Sequence, residues 1–154
     1  MPHLATEFVN DSTVRLTYSL AAPVARVFGM WADSRLFESW FCPGEPWECS
    51  LPAYDFRPGG AYRVHMLAPD KDVYELFGEF QTIEHEQSIV FSWNWEDSPT
   101  HPEPSLVDIR LEPSAAGTKM VLTHSRFLSE LSRGRHEEGW GHCIGRLEKA
   151  LETD

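Results

Sequence analysis

The sequence predicts an α+β fold in which an antiparallel β-sheet packs against one long C-terminal helix. Three observations predict it. Between Arg135 and Leu151, the residues Trp140, Ile144, Leu147 and Leu151 recur at steps of four, three and four, and Cys143 falls on the same side. This spacing makes a single apolar stripe on a helix, with Glu137, Glu138, Arg146, Lys149 and Glu152 opposite. Most of the chain before it alternates apolar and polar residues, the period of a half-buried strand. The alternating runs are joined by short turn signals such as Arg57-Pro58-Gly59-Gly60 and Pro69-Asp70-Lys71-Asp72, and short links imply an antiparallel meander. A helix with one apolar stripe must bury it against that sheet. If the sheet curves, a pocket forms between the two.

The elements follow in order. Residues 1–11 are polar and expected to be irregular. From Thr13 to Leu20, Val14, Leu16, Tyr18 and Leu20 alternate with Arg15, Thr17 and Ser19, which reads as a strand. Ala22-Pro23 opens a helix with an apolar face of Val24, Val27, Phe28 and Trp31. Asp33-Ser34 offers a new N-cap, and the pairs Leu36/Trp40 and Phe37/Phe41 belong to a second short helix. Cys42-Pro43-Gly44-Glu45-Pro46 ends it.

Strands then follow one another. Trp47 to Phe56 is interrupted by Pro52, which suits an edge or a bulge. Ala61 to Leu67 returns, and Val73 to Glu84 puts Tyr74, Leu76, Phe80 and Thr82 on one side. The clearest alternation is Ile89, Phe91, Trp93 and Trp95 against Val90, Ser92 and Asn94. A proline-rich loop, Asp97 to Pro104, breaks the pattern. Leu106 to Glu112 points Val107, Ile109 and Leu111 inward, and Thr118 to Phe127 closes the sheet with Met120, Leu122 and His124 on one face. No repeat, linker or low-complexity segment marks a boundary, so residues 1–154 are expected to form one domain with its core in about 13–152.

Charge and cysteine usage narrow the function classes. A formal net charge of -11, with no Lys/Arg cluster to offset it, argues against nucleic acid and anionic lipid surfaces as partners. No apolar run approaches the ~18 residues needed to span a bilayer, and the first residues lack the basic start and apolar run of a signal peptide. Cys42, Cys49 and Cys143 are an odd count at no metal-binding or redox spacing and read as reduced thiols. The expected setting is the cytoplasm.

Four segments resemble a known family. Ala21-Ala22-Pro23-Val24-Ala25-Arg26-Val27-Phe28 followed by Trp31 is similar to its first helix, and Trp40-Phe41 to the motif after its second. Asp55-Phe56-Arg57-Pro58-Gly59-Gly60-Ala61-Tyr62-Arg63 resembles its D-x-R-x-G-G-x-aromatic-R hairpin, and Thr123-His124-Ser125 with Gly139-Trp140 its C-terminal signature. The family is that of the activator of heat-shock-protein-90 ATPase, within the START/Bet v 1-like (SRPBCC) superfamily. The resemblance implies the helix-grip fold, a sheet of about seven strands wrapped around the C-terminal helix with an apolar cavity between them. It implies no single activity, because the superfamily holds lipid and sterol carriers, hormone receptors, polyketide cyclases and co-chaperone domains.

The inward faces supply the candidate ligand-binding residues: Tyr74, Leu76, Phe80, Phe91, Trp93, Trp95, Val107, Ile109, Leu122, His124, Trp140 and Ile144. Each of them would equally serve as core filling. The pocket reading gains from the Trp and Tyr tips, whose buried N–H and O–H groups need partners. His124 is the best polar candidate, as a ligand-orienting group or a general acid/base, against the alternative of a structural histidine. Arg126, in phase with His124, suits a ligand carboxylate or an ion pair at a cavity rim. Asp55, Arg57 and Arg63 read as charge pairs supporting the hairpin.

Three functional readings follow. The first is a protein that binds a small hydrophobic molecule in the helix–sheet cavity, without a cofactor. The second is a co-chaperone-like module whose acidic surface meets a basic protein, which expects a filled core. The third is a cyclase- or hydrolase-like enzyme, for which His124 with Tyr74 or Tyr18 is the only nominated pair, and it ranks below binding. No catalytic residue is assigned. The seven histidines are scattered, so no metal site is expected either. Homodimerisation through the aromatic segment around Trp40, Phe41 and Trp47 stays open, since these residues would equally pack under the sheet.

Overall fold

The computed structural model describes residues 3–44, 46–96, 104–127 and 129–152. Strand β1 (His3–Asn10) and β2 (Thr13–Leu20) are followed by α1 (Val24–Ala32) and α2 (Ser34–Trp40). Then come β3 (Glu48–Tyr54), β4 (Ala61–Leu67), β5 (Val73–Glu84), β6 (Ser88–Trp95), β7 (Ser105–Ser114), β8 (Gly117–Ser125) and α3 (Glu130–Leu151). The strands form one antiparallel sheet in the order β1-β2-β8-β7-β6-β5-β4-β3. Only β2 and β8 are neighbours out of chain order, with Leu16 opposite Leu122 and Val14 opposite His124. The stripe of α3 is buried at Trp140, Cys143, Ile144, Leu147 and Leu151. This is the helix-grip fold, with eight strands rather than about seven.

The extra strand is β1, where the sequence suggested an irregular segment. It is an edge strand laid along β2, for example Glu7 opposite Arg15. Its residues from Ala5 onward are exposed, so it carries no apolar alternation. Backbone pairing makes the strand, and a periodicity search cannot detect that. At the opposite edge, β3 carries Pro52, and the register shifts between Ser50 and Ala53, as expected of an edge bulge.

The long strand β5 departs from strict alternation. The register with β6 shifts between Phe80 and Thr82. Phe80 is therefore buried while Thr82 turns outward, against expectation. The hairpin 55–63 docks at the same place, with Gly59 N–H donating to Phe80 O at 2.7 Å and Phe80 N–H to Gly60 O at 2.9 Å. Gly59 has φ +84°, and a Cβ on Gly60 would lie 2.0 Å from Asp55 O. That turn therefore requires both glycines. Asp55 pairs with Arg57 at 2.7 Å, whereas Arg63 pairs across the sheet with Glu75 and Glu96.

At the helices, the Asp33 side chain caps α2 by accepting from Arg35 and Leu36 N–H. Trp40 and Phe41 are buried, and Phe41 stacks on Phe37 at 4.6 Å, so they pack under the sheet rather than forming an exposed patch. Leu36, expected beside Trp40, is exposed. The loop expected at Asp97–Pro104 lies outside the described residues except for Pro104, as does Glu45 in the break after α2.

The cysteines correct the expectation of three reduced thiols. Cys42 and Cys49 form a disulfide with Cα atoms 6.0 Å apart, and Cys143 is free and buried. The turn after α2 brings β3 back alongside, which the seven-residue separation does not disclose. Titration of the denatured, unreduced protein is expected to yield one thiol, and three after reduction. Replacing both Cys42 and Cys49 by Ala should cost about 2–3 kcal/mol in urea unfolding, the loop-closure entropy of so short a ring. Three thiols without reduction would overturn the assignment.

Candidate functional site

The N-terminal half of α3 stands off the sheet and leaves a cleft of about 950 Å³. Its wall on the helix side is Ser129, Leu131, Ser132, Arg135, His136, Gly139, Trp140 and Cys143. The sheet contributes Met66 from β4, Tyr74 from β5, and Trp93 and Trp95 from β6, followed by Glu96. Phe41, Pro43 and Trp47, from the segment between α2 and β3, close the third side. The cleft opens to solvent at a rim where Tyr74 is 43% and Leu131 65% exposed.

The reason for the gap lies in α3. Stepping back from Trp140 by fours reaches His136 and Ser132, so the apolar stripe gives way to polar side chains along the same line. Those side chains do not fill the space over the sheet. The aromatic rings around it pack largely edge to face. Trp93 and Trp95 are 5.8 Å apart at 82°, Tyr74 and Trp95 6.4 Å at 82°, and Phe41 and Trp93 5.9 Å at 71°. Edge-to-face contact sets the positive ring edge on a negative ring face and holds the wall rigid.

Two histidines tie α3 to the sheet, His124 from behind this wall and His136 as part of it. The Trp140 indole N–H donates to His124 Nδ1 at 3.0 Å, and His124 Nε2 lies 2.8 Å from Ser105 Oγ. The Ser105 hydroxyl donates to Trp93 O at 3.1 Å, so it accepts from His124. His124 is thereby the Nε2–H tautomer with both ring nitrogens engaged. Its neighbour His136 accepts from the Trp95 indole N–H at Nε2, 2.9 Å, and its Nδ1 lies 2.7 Å from Ser132 O. The two imidazoles are 5.1 Å apart, with Phe127 against both. The indole N–H of Trp93 is buried and has no acceptor among the described residues.

Of the residues expected to bind a ligand, Tyr74, Trp93, Trp95 and Trp140 line the cleft. Leu76, Phe80, Phe91, Val107, Ile109, Leu122 and Ile144 are buried in the core instead. His124 is fully buried behind Trp93 and Trp140 and does not line the cleft. Alternation tells which face of a strand is inward, but not how far along it the helix stands off. Arg126 is outside the site: β8 ends at Ser125, and Arg126, at φ +71°, is exposed and is not part of the lining. The sequence reading missed the first turns of α3 and the 41–47 segment. Ser129 was the available signal, since its side chain caps α3 by accepting from Ser132 N–H.

The nominated acid/base pairs do not meet. Tyr18 sits opposite Met120, four residues along the ladder from the Val14–His124 pair, or about 13 Å. Tyr74 is three strands from β8, about 14 Å across the sheet. Burial, then Glu137, Glu148 and Cys143, push the Tyr18 hydroxyl up to about 12. Burial likewise pushes the Cys143 thiol up to about 12, against smaller opposing effects of the Cys42 backbone and Arg146. Both are poor nucleophiles or bases near neutrality. No group of three or more His, Cys, Asp or Glu side chains suited to a metal occurs among the described residues. No helix among them is long and apolar enough to cross a membrane.

Comparison with known proteins supports the family and the fold. The family model described as activator of Hsp90 ATPase homolog 1-like protein matches residues 21–152. The chain belongs to this family. Protein CV1439 from Chromobacterium violaceum is similar in structure with a TM-score of 0.84 at 23% identity, covering 93% of this chain and 99% of that one. Protein Ms6760 from Mycobacterium smegmatis gives 0.83 at 21% identity, covering 99% of each chain. The AHSA1 (SPO3351) protein from Silicibacter pomeroyi gives 0.80 at 24%, covering 92% of this chain and 98% of that one. At these identities the likeness is one of fold. Among curated proteins, none matches the chain.

Two outcomes test this account. Trp140→Phe keeps most of the ring volume but leaves His124 Nδ1 without its donor, so urea unfolding should show a loss of about 1–3 kcal/mol. An unchanged stability would refute the role given to that bond. Cys143 and Tyr18 hold their protons to about 12 when folded, against ordinary values of 9.0 and 10.0. Above pH 9 the unfolded chain therefore binds fewer protons than the folded one. Their contribution to stability is full below pH 9 and is lost as the pH rises from there to 12. Urea midpoints across that range should fall, beginning at higher pH in Cys143→Ala.

Proposed function

We propose that this member of the family binds a small, largely apolar, ring-bearing molecule in the cleft between α3 and the sheet. The observation that carries the reading is an open cleft of about 950 Å³ walled by Phe41, Trp47, Tyr74, Trp93, Trp95 and Trp140. That volume is of the order of a small-molecule site, and its aromatic lining favours apolar surface. Leaving water would supply the driving force, about 25 cal/mol per Å² of apolar area. The wall is held by the His124 and His136 bonds before any ligand arrives, which keeps the cost of ordering it low.

The binding reading is favoured over the other two. A co-chaperone-like module was expected to have a filled core, and the cleft weighs against it. An enzyme of the proposed kind needs an acid/base pair in the cavity, and His124 has both nitrogens committed behind the wall. The cytoplasmic setting rested partly on three reduced thiols. With Cys42 and Cys49 bridged that support is withdrawn, and the binding proposal does not depend on the compartment.

The experiment is a fluorescence titration of the purified protein with N-phenyl-1-naphthylamine, beside native mass spectrometry for a co-purifying metabolite. Saturable one-to-one uptake is expected. Trp47→Ala and Tyr74→Ala, both at the rim, should each weaken it about two- to ten-fold without unfolding the protein. Absence of both probe uptake and a co-purifying molecule would count against the proposal.

A further inference from the structure

We infer that the ligand carries an anionic group and that Arg135 selects for it at the mouth of the cleft. The inference rests on the binding reading above and concerns the ligand's charge. It follows from the polar groups on the lining. Arg135 lines the cleft, is exposed, and has no carboxylate partner among the described residues. A guanidinium carries five N–H donors and no acceptor. Ser129 Oγ accepts from Ser132 N–H, which leaves its own O–H to donate.

The carboxylate and the imidazole on the lining are already engaged. Glu96, the one carboxylate on the described lining, is bound by the Arg63 guanidinium. His136 Nε2 takes the Trp95 indole N–H, and His136 Nδ1 faces Ser132 O. The cleft thus presents donors in excess of acceptors. The complement is an acceptor-rich group, and a carboxylate or sulfonate matches the charge and fork of a guanidinium. A cation fits less well. The Arg135 guanidinium at the mouth would repel it, and Glu96, the one carboxylate on the described lining, is already paired. The overall charge of -11 opposes an anion only at long range, and salt screens it beyond about 8 Å.

The test uses two probes sharing one aromatic body: neutral N-phenyl-1-naphthylamine and anionic 8-anilino-1-naphthalenesulfonate. At physiological ionic strength, where the net charge is screened, the sulfonate should bind about two- to five-fold tighter, as expected of an exposed ion pair. Arg135→Ala should bring the two affinities to parity by weakening only the sulfonate, and Arg135→Lys should restore part of the preference. Arg133→Gln removes the same charge two residues away, where Arg133 bonds Asn10 O and lies over Phe8 outside the cleft. It should leave the preference intact, with circular dichroism reporting the fold of each variant. Equal binding of the two probes by the native protein, or a preference that survives Arg135→Ala, would overturn the inference while the binding reading stands. A preference lost equally in the Arg133 variant would overturn the role of Arg135. If neither probe binds and native mass spectrometry finds no co-purifying molecule, the binding reading itself fails.

Discussion

The indole of Trp140 is where the parts of this molecule meet. It projects from α3 and touches Trp31 of α1, Phe41 at the end of α2 and Trp93 of β6, while its N–H reaches His124 of β8. One side chain therefore sets both the distance and the rotation of the helix over the sheet. Its apolar area supplies adhesion, and the directional bond to His124 supplies the angle. Truncating a buried Trp costs on the order of 3–5 kcal/mol, a large share of a small domain's stability of about 5–15 kcal/mol. The bond extends the constraint through Ser105 to the backbone of Trp93, so the residue that anchors the helix also positions a wall of the cleft.

The cleft is a consequence of that anchor and of where the stripe of α3 ends. Beyond Trp140 toward the helix start, Ser132 and His136 occupy the line that Ile144 and Leu147 occupy farther along. Polar side chains there cannot fill the space apolar ones would. His136 instead holds the Trp95 indole from the side. A helix whose inner line changes from apolar to polar partway along is a means of leaving a gap next to a rigid core. The other walls are set by separate devices. The Cys42–Cys49 disulfide closes the segment that bears Pro43 and Trp47, and the Gly59-Gly60 turn pins β5 at Phe80.

This architecture separates what the family shares from what this chain adds. The match over residues 21–152 and the likeness to bacterial proteins below 25% identity speak for the fold. The lining combines residues of the family motifs, Phe41, Gly139 and Trp140, with others from β4, β5, β6 and the start of α3. Its aromatic walls, its donor excess and its single neutralised carboxylate are the basis for reading the site as a receptor for an amphipathic small molecule, which is the function proposed here.

Most of the architecture was legible in the sequence because it depends on local period. The stripe from Trp140 to Leu151, the alternation in β2, β6 and β7, the Asp33 cap and the Pro52 bulge each express a rule acting over a few residues. The hairpin motif around Gly59-Gly60 was equally visible. Local patterns were enough for the order of elements from β2 onward, for most inward faces and for the family resemblance. Which inward residues line space and which fill it depends on how far α3 stands from each strand, a distance set by the packed fold. The fold also decided that β1 pairs without an apolar pattern, that Cys42 meets Cys49, and that His124 is committed to Trp140 and Ser105. These are distances between residues remote along the chain, or partners supplied by the backbone, and no local pattern of side chains encodes them.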